Sequence, residues 1–149
     1  FSLSMKPKFL YHGSNVLIKR KFLKVNRPTD KSSVHNFVYG VYATDRKDIA
    51  KGMALTGFKF TKSFGDYSKN PYKSIFVRGK PKGRFVYMYK VLSSSFVERP
   101  RGSHQWISEN NVKIIDVQKF SVSELKDYWR KATLKEKWWY YKHKSKSLK

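Results

Sequence analysis

Short apolar and aromatic runs, separated by polar turn residues, recur along the chain and predict more strands than helices. Aromatic and β-branched residues fit the half-buried, pleated surface of a sheet, so each of these runs favours a strand. In chain order, the predicted strands cover residues 8–12, 36–45 with an interruption at Gly40, 74–78, 84–91, 105–108 and 112–117. Glycine-bounded turn residues at 79–83 predict that the strands on either side of them form a β-hairpin.

Two segments show helical spacing of apolar residues instead. The first covers residues 46–55, and Asp45 before it is predicted to cap the helix. The second begins at a capping box of Ser121 and Glu124 and predicts a basic, aromatic helix or tail over about 121–149. The apolar face predicted for it consists of Leu125, Tyr128, Trp129 and Ala132.

The remaining segments predict loops. Residues 13–36 are basic and contain the turn formers of 26–33, residues 56–74 predict a loop or lid with aromatic anchors, and residues 93–104 predict a further loop. Strands joined mostly as hairpins, with few helices, predict an α+β fold with an antiparallel sheet. Residues 1–4, before Met5, are interpreted as a remnant ahead of the native start, which leaves residues 5–149 as a single domain.

Composition supports a folded domain and excludes several classes of chemistry. The chain has 149 residues, of which 40% are hydrophobic and 17% aromatic, enough for one continuous core. The absence of cysteine excludes disulfides, thiolate metal ligands and cysteine nucleophiles. No apolar run reaches the roughly 18 residues of a membrane span and no signal peptide is visible, so we expect an intracellular, cytoplasmic protein that does not interact with membranes.

The charge balance predicts an anionic partner. The chain has 33 Lys and Arg against 10 Asp and Glu, a net charge of +23, which exceeds what solubility requires. Contacts with phosphates release counterions, so a polyanion such as RNA or DNA fits best. Aromatic residues between the basic ones suit a nucleic-acid track, for example at 138–141. The alternative is that the lysines only coat the surface and the aromatic residues belong to the core.

Three motifs occur in an informative order. "YHGS" ends the first predicted strand, "VYATDRKDIAKGMA" runs from a strand into a helix, and "QWIS" begins a late strand after a loop. This order resembles the ADP-ribosyltransferase superfamily, in the branch with a His-Tyr-acidic triad that includes poly(ADP-ribose) polymerases and the small rifamycin-modifying ADP-ribosyltransferases. The resemblance covers most of residues 8–117, and it implies split antiparallel β-sheets with flanking helices, followed here by a basic C-terminal helix.

The resemblance also implies roles for individual residues. The histidine of the family falls on His12, where its ring would bond a ribose hydroxyl of NAD, and the glycine falls on Gly13, where the main chain would bind the nicotinamide carboxamide. Ser14 would supply a hydroxyl beside the same pocket. Tyr42 would place its ring against nicotinamide. The implied co-substrate is therefore NAD, with His12, Gly13, Ser14 and Tyr42 binding it.

The third catalytic position departs from the family, because Gln105 stands where the family has Glu or Asp. A carboxylate there would stabilise the positive charge that builds on the ribose as nicotinamide leaves, and its neutral isostere is expected to cost about 10² in rate. Glu109 lies about 13 Å further along an extended strand, too far to substitute. Glu98 lies on a predicted loop and nothing in the sequence supports it. Either Gln105 is natural and the enzyme is adapted to it, or it is an introduced change that traps an inactive form.

Each site residue also has a simpler interpretation. A lone histidine at a strand end is often structural, and Tyr42 alone would be a core aromatic residue; the ordered set favours function. His35, His104 and His143 show no metal-ligand spacing, so no metal site is predicted. His104, beside Gln105, could contact substrate, but the sequence alone does not support a role for it.

These observations favour an NAD-dependent mono-ADP-ribosyltransferase that modifies nucleic acid or a nucleic-acid-associated target. A toxin or phage-conflict effector would have this character and would pair with an acidic antitoxin or immunity protein. The alternative is a catalytically silent transferase-like module that binds nucleic acid through its charge. A third option, an RNA 2′-phosphotransferase of the same fold, requires a phosphate-binding set of arginines and histidines that we cannot assign.

Overall fold

The computed structural model describes residues 6–25 and 39–147. Four predicted features lie outside the described residues: residues 1–4, the turn residues at 26–33, His35 and the first residues of the strand predicted at 36–45. The elements are β1 (Phe9–Ser14), β2 (Phe22–Leu23), β3 (Val41–Thr44), α1 (Lys47–Ala54), β4 (Lys62–Asp66), β5 (Lys73–Arg78), β6 (Phe85–Leu92), β7 (Phe96–Glu98), β8 (Gln105–Ser108), β9 (Val112–Ser121), a 3-10 helix (Val122–Tyr128), β10 (Trp129–Lys131) and α2 (Leu134–Ser147).

A seven-stranded antiparallel sheet forms the larger layer. Its strand order is β2-β9-β6-β1-β3-β8-β7, so β1 lies at the centre between β6 and β3. One face of the sheet is covered by an apolar cluster that includes Leu10, Tyr89 and Phe96, each at most 1% exposed. The chain folds into two sheets with few helices, which confirms the α+β class.

A three-stranded sheet, in the order β10-β5-β4, forms the second layer, with β10 parallel and β4 antiparallel to β5. The predicted β-hairpin of residues 74–78 and 84–91 is therefore wrong, although both strands exist. β5 is buried at four successive positions, 74–77, so both its faces are covered, whereas a hairpin on one face of a sheet would alternate. Residues 79–83 connect the two sheets instead.

Helix α1 lies between the two sheets and contacts β1, β6 and β5. Two glycines allow close packing on the two sides of α1. A Cβ at Gly13 in β1 would lie 2.0 Å from the Ala50 carbonyl oxygen, and a Cβ at Gly52 in α1 would lie 2.3 Å from the Tyr72 ring. The buried Ser74 hydroxyl donates to the Gly52 carbonyl at 2.7 Å, which ties the helix to β5. The helix predicted at 46–55 is confirmed.

The start of α1 differs from the prediction, because Asp45 does not cap it. The cap position is Arg46, without a side-chain cap. Asp48 in the first turn instead accepts the Tyr72 backbone N–H at 2.7 Å and pairs with the Arg46 guanidinium at 2.5 Å. Burial alone would raise the pKa of Asp48, but these hydrogen bonds outweigh it and lower the pKa. Asp45 is consequently available for other contacts.

The C-terminal region is broken where one helix was predicted. The capping box of Ser121 and Glu124 is confirmed, but it opens a 3-10 helix that ends at Tyr128. Trp129 then pairs with β5 in strand β10 and packs edge-on against Phe76, with ring centroids 5.6 Å apart. Burying this tryptophan against β5 outweighs the helical spacing, so the apolar face predicted from Leu125 to Ala132 does not form.

Helix α2 starts afresh after β10. Glu136 accepts the Thr133 backbone N–H at 2.9 Å and donates its own N–H to the Thr133 hydroxyl at 3.2 Å. Arg130 binds both oxygens of Glu136 at 2.7 Å, and this pairing lowers the pKa of Glu136 to about 2. In the part of the chain that is described, no helix combines the length and apolar character needed to cross a membrane.

Each of the three predicted loops contains a short strand. β2 lies within residues 13–36, β4 lies within residues 56–74, and β7 lies within residues 93–104. None of them has a long apolar run or strict alternation, since β2 reads FL, β4 reads KSFGD and β7 reads FVE. Pairing with a neighbouring strand, which the local sequence does not show, holds them extended.

Replacing Gly13 by alanine tests the close contact between β1 and α1. The added Cβ has no space against the Ala50 carbonyl, so we expect Gly13→Ala to lower the free energy of unfolding by about 1–3 kcal/mol or more. Urea unfolding followed by circular dichroism measures this. Ser14→Ala in the same strand is the matched control, with an expected loss below about 1 kcal/mol. Equal, small losses for both variants would contradict the close contact.

Candidate active site

Strands β1 and β3 diverge and leave a cleft between them. They pair at one position, Tyr11 with Thr44. Beyond it, β1 continues along β6 and β3 continues along β8. A cavity of about 140 Å³ occupies the region where the strands separate. Its walls include His12, Gly13, Tyr42, Met53, His104 and Gln105.

His12 crosses this cleft. Its Nδ1 lies 2.6 Å from the Tyr42 carbonyl oxygen, which only accepts, so Nδ1 carries the proton. Burial lowers the pKa of His12, while the bond to Tyr42 partly opposes the shift. The ring is therefore neutral near pH 7, and its Nε2 is an acceptor. Among the described residues Tyr42 supplies the single hydrogen bond of His12, so Nε2 can accept a ligand hydroxyl.

Gly13 and Ser14 follow His12 in β1 and have different positions. Gly13 lines the cavity, and the packing of α1 against it gives a second reason for the missing side chain. Ser14 does not line the cavity. Its hydroxyl accepts the Val16 backbone N–H at 3.1 Å, which shapes the turn after β1.

Tyr42 and Gln105 lie on neighbouring strands. Thr44 is opposite Gln105 in the ladder of β3 and β8, and alternation places Tyr42 on the same face as Thr44. The Gln105 side-chain amide donates to the Arg99 carbonyl at 3.2 Å, so the loop before β8 holds it at the edge of the cavity. The structure thus brings together four of the five predicted residues, His12, Gly13, Tyr42 and Gln105, and leaves Ser14 outside.

A further polar group at the cavity was missed by the sequence interpretation. Asp45 Oδ1 lies 2.8 Å from His104 Nδ1, and Asp45 Oδ2 accepts the Trp106 indole N–H at 3.2 Å. His104 lines the cavity, whereas Asp45 supports it from behind. A signal existed: Asp45 directly follows β3 and His104 directly precedes β8, and antiparallel neighbours would bring these two positions together.

Neither alternative carboxylate considered for position 105 lines the cavity. Glu98 accepts the His104 backbone N–H at 3.0 Å. Glu109 follows the other end of β8. Asp45, Glu98 and His104 bring three potential ligand atoms within 4.8 Å of one another. Their hydrogen bonds to one another and to Trp106 account for this arrangement, so we propose no metal site.

No family model, curated protein or solved structure matches this chain. The resemblance to ADP-ribosyltransferases therefore stays a prediction from the order of the motifs in the sequence. Chemically, the cleft offers a neutral imidazole acceptor, a phenol ring and an uncharged amide beside apolar atoms of α1.

The buried state of His12 predicts a pH dependence of stability. Its folded pKa lies below the ordinary value of 6.5, so the unfolded chain binds a proton first as the pH falls. The contribution of neutral His12 is complete above about pH 6.5 and is lost as the pH falls through the lower folded pKa. We expect the wild type to lose more stability than His12→Asn between about pH 7.5 and pH 5, measured by urea unfolding.

Asparagine at position 12 retains an N–H that can donate to Tyr42 but does not titrate in this range. The difference between the two proteins therefore isolates His12 from the other titrating groups. Identical pH dependence in both would show that His12 is not held neutral.

Proposed function

We propose that this chain is an NAD-dependent mono-ADP-ribosyltransferase that acts on nucleic acid or on a nucleic-acid-bound target. The cleft between β1 and β3 carries the proposal, because His12, Tyr42 and Gln105 come from distant parts of the chain and line one cavity. A toxin or phage-conflict effector, paired with an acidic antitoxin or immunity protein in the cytoplasm, would have these properties.

The cavity in the cleft and a neighbouring pocket would take different parts of NAD. A volume of about 140 Å³ is below the roughly 300–1,000 Å³ of pockets for drug-sized ligands, so the cavity would take the nicotinamide and its ribose. A second pocket of about 110 Å³ shares Tyr11 with it and is lined by Lys47 and Lys90, with Asp116. These two ammonium groups would attract the diphosphate that continues from the ribose.

The chemistry follows from these positions. His12 Nε2 would accept a ribose hydroxyl, and the Tyr42 ring would lie against the nicotinamide. When the ribose C1–N bond breaks, its electron pair goes to nicotinamide and C1 becomes positive. The Gln105 side chain can orient a ribose hydroxyl but brings no charge to stabilise C1. We therefore expect slow turnover with Gln105 and faster turnover with a carboxylate at this position.

The exposed side of α2 supports a nucleic-acid target. Trp138 is 62% exposed and Trp139 is 50% exposed, and Tyr141 beside them is also exposed. The Lys142 ammonium lies 4.5 Å from the centre of the Trp138 ring. Phe64 stacks on Tyr140 and contacts Trp139, which holds the helix against β4. We call Trp138, Trp139, Tyr141 and Lys142 the α2 aromatic surface; it combines stacking planes with positive charge, as single-stranded nucleic acid requires.

The aromatic residues at 56–74 divide between the two earlier interpretations. Tyr72 is buried beneath α1 and Phe58 packs against the core, so these two are structural. Phe60 and Tyr67 are exposed. Only the exposed pair could add to a nucleic-acid track.

Binding and cleavage of NAD test the proposed activity. We expect NAD to raise the melting temperature of the chain as given and of Gln105→Glu, because a ligand at 100 times its dissociation constant adds about 2.7 kcal/mol. Gln105→Glu should transfer labelled ADP-ribose at least about 10²-fold faster. The measurements are thermal shift with NAD and incorporation of labelled ADP-ribose into RNA, DNA and protein.

Two controls separate site effects from general ones. His12→Ala in the Gln105→Glu background should abolish incorporation, whereas Ser14→Ala, outside the cavity, should retain most of it. If neither the chain as given nor Gln105→Glu binds or consumes NAD, the transferase proposal fails.

The second candidate is a catalytically silent module that binds nucleic acid. Gln105 favours it, since the neutral side chain is already engaged by the Arg99 carbonyl. Such a module would bind nucleic acid with a steep salt dependence and would show no thermal shift with NAD.

Nucleic-acid binding through the α2 aromatic surface is expected under both candidates. Replacing Trp138 and Trp139 by alanine should weaken binding of single-stranded RNA about tenfold or more, because each stacked base contributes about 1–3 kcal/mol. Fluorescence anisotropy at several salt concentrations measures it. Phe85→Ala is the matched control, because Lys119 lies 3.9 Å from its ring on a different surface. Equal weakening by both changes would contradict a specific role of α2.

A further inference from the structure

Two hydrogen bonds hold His104 at the edge of the cavity, and a third fixes one of its partners. Asp45 accepts from its ring at 2.8 Å, and Glu98 accepts its backbone N–H at 3.0 Å. Trp106 donates its indole N–H to the other oxygen of Asp45 at 3.2 Å, which fixes that carboxylate. The His104 side chain is nevertheless 44% exposed, so a rigidly held imidazole lines the cavity and faces solvent as well.

The backbone at His104 is also strained. Its φ is +64°, in the left-handed region that few residues other than glycine adopt. Such conformations cost about 1–3 kcal/mol and persist where surrounding contacts enforce them, often at functional sites. The Glu98 carboxylate and the ladder that begins at Gln105 supply those contacts.

The partner of His104 determines which nitrogen is basic. The Asp45 carboxylate accepts, so the neutral ring carries its proton on Nδ1 and leaves Nε2 as the proton acceptor. An imidazole oriented by a carboxylate is the usual arrangement of a general base. His12 does not serve in the same way, because its ring is enclosed in the cleft and its Nε2 is assigned to the ribose hydroxyl.

We propose that His104 is the catalytic base that deprotonates the acceptor, and that Asp45 is the residue that positions it; this rests on the proposed transferase function. The ribose C1–N bond breaks and its electron pair leaves with nicotinamide. The acceptor oxygen or nitrogen forms the new bond to C1, and its proton moves to His104 Nε2. Solvent removes that proton afterwards through the exposed part of the ring.

Several charged and aromatic side chains surround His104. Asp45 comes from the end of β3 and Glu98 from β7. His12, Tyr42 and Tyr67 line the same cavity. The base role predicts that transfer depends on both His104 and Asp45.

Chemical rescue gives the sharpest test. His104→Gly, made in the Gln105→Glu background, removes the imidazole and suits the positive φ, so the variant should fold. We expect transfer to fall about 10²-fold or more, while the NAD-induced thermal shift stays unchanged. Added imidazole should restore transfer at least severalfold. Asp45→Asn should also lower transfer, but added imidazole should not restore it.

Phe60→Gly is the matched control, because Phe60 has φ +63° and lies outside the cavity. It relieves the same kind of backbone strain, and its readout is the response to imidazole alone: transfer by this variant should be the same with and without added imidazole, whatever Phe60 contributes to acceptor binding. A readout without NAD is the nitrogen-15 spectrum of His104, which should show the neutral ring protonated on Nδ1.

The outcomes distinguish the two proposals. Transfer that survives His104→Gly, transfer that imidazole does not restore, or a ring protonated on Nε2 overturns the base role and leaves the transferase intact. If no variant binds or consumes NAD, the transferase proposal fails first and the base role fails with it.

Discussion

The close approach of α1 to β1 at Gly13 is the constraint on which the rest of the structure depends. Main chain meets main chain there, since the Ala50 carbonyl occupies the space of a side chain. This contact places α1 against the central strand of the large sheet, and Gly52 allows the other sheet to close over it. The helix then forms one wall of the cleft through Ile49, Ala50 and Met53.

The cleft gives its two histidines different environments within one cavity. His12 lies between separating strands, where burial lowers its pKa and keeps the ring neutral, and the bond from Nδ1 to the Tyr42 carbonyl leaves Nε2 as an acceptor. His104 lies at the rim, beside a carboxylate, with almost half of its side chain open to solvent. The proposed binding of a sugar by His12 and the proposed transfer of a proton by His104 would each suit its own setting. The separation of β1 from β3 within one sheet produces both settings.

The sequence predicted the strands and helices better than it predicted which strands pair. The runs around His12, Tyr42 and Gln105 were found as strands because apolar and aromatic residues mark buried sheet positions. The partner of each strand depends on contacts far apart in the chain, so the predicted β-hairpin of residues 74–78 and 84–91 was wrong. The helix predicted from residue 121 was wrong in its first part for a related reason: Trp129 has helical spacing, yet it gains more by packing on Phe76. Its basic, aromatic second part does form a helix, α2. Asp45 was assigned to a cap because the local sequence does not contain its real partners, His104 and Trp106.

Strand β10 has a consequence for solubility that goes beyond its three residues. β5 presents Ile75, Phe76 and Val77 in succession, a composition that readily adds a foreign strand if an edge is left open. Trp129, Arg130 and Lys131 occupy that edge in parallel, and Arg130 there is paired with Glu136 of α2. The segment between the 3-10 helix and α2 thus covers one edge of the apolar strand β5.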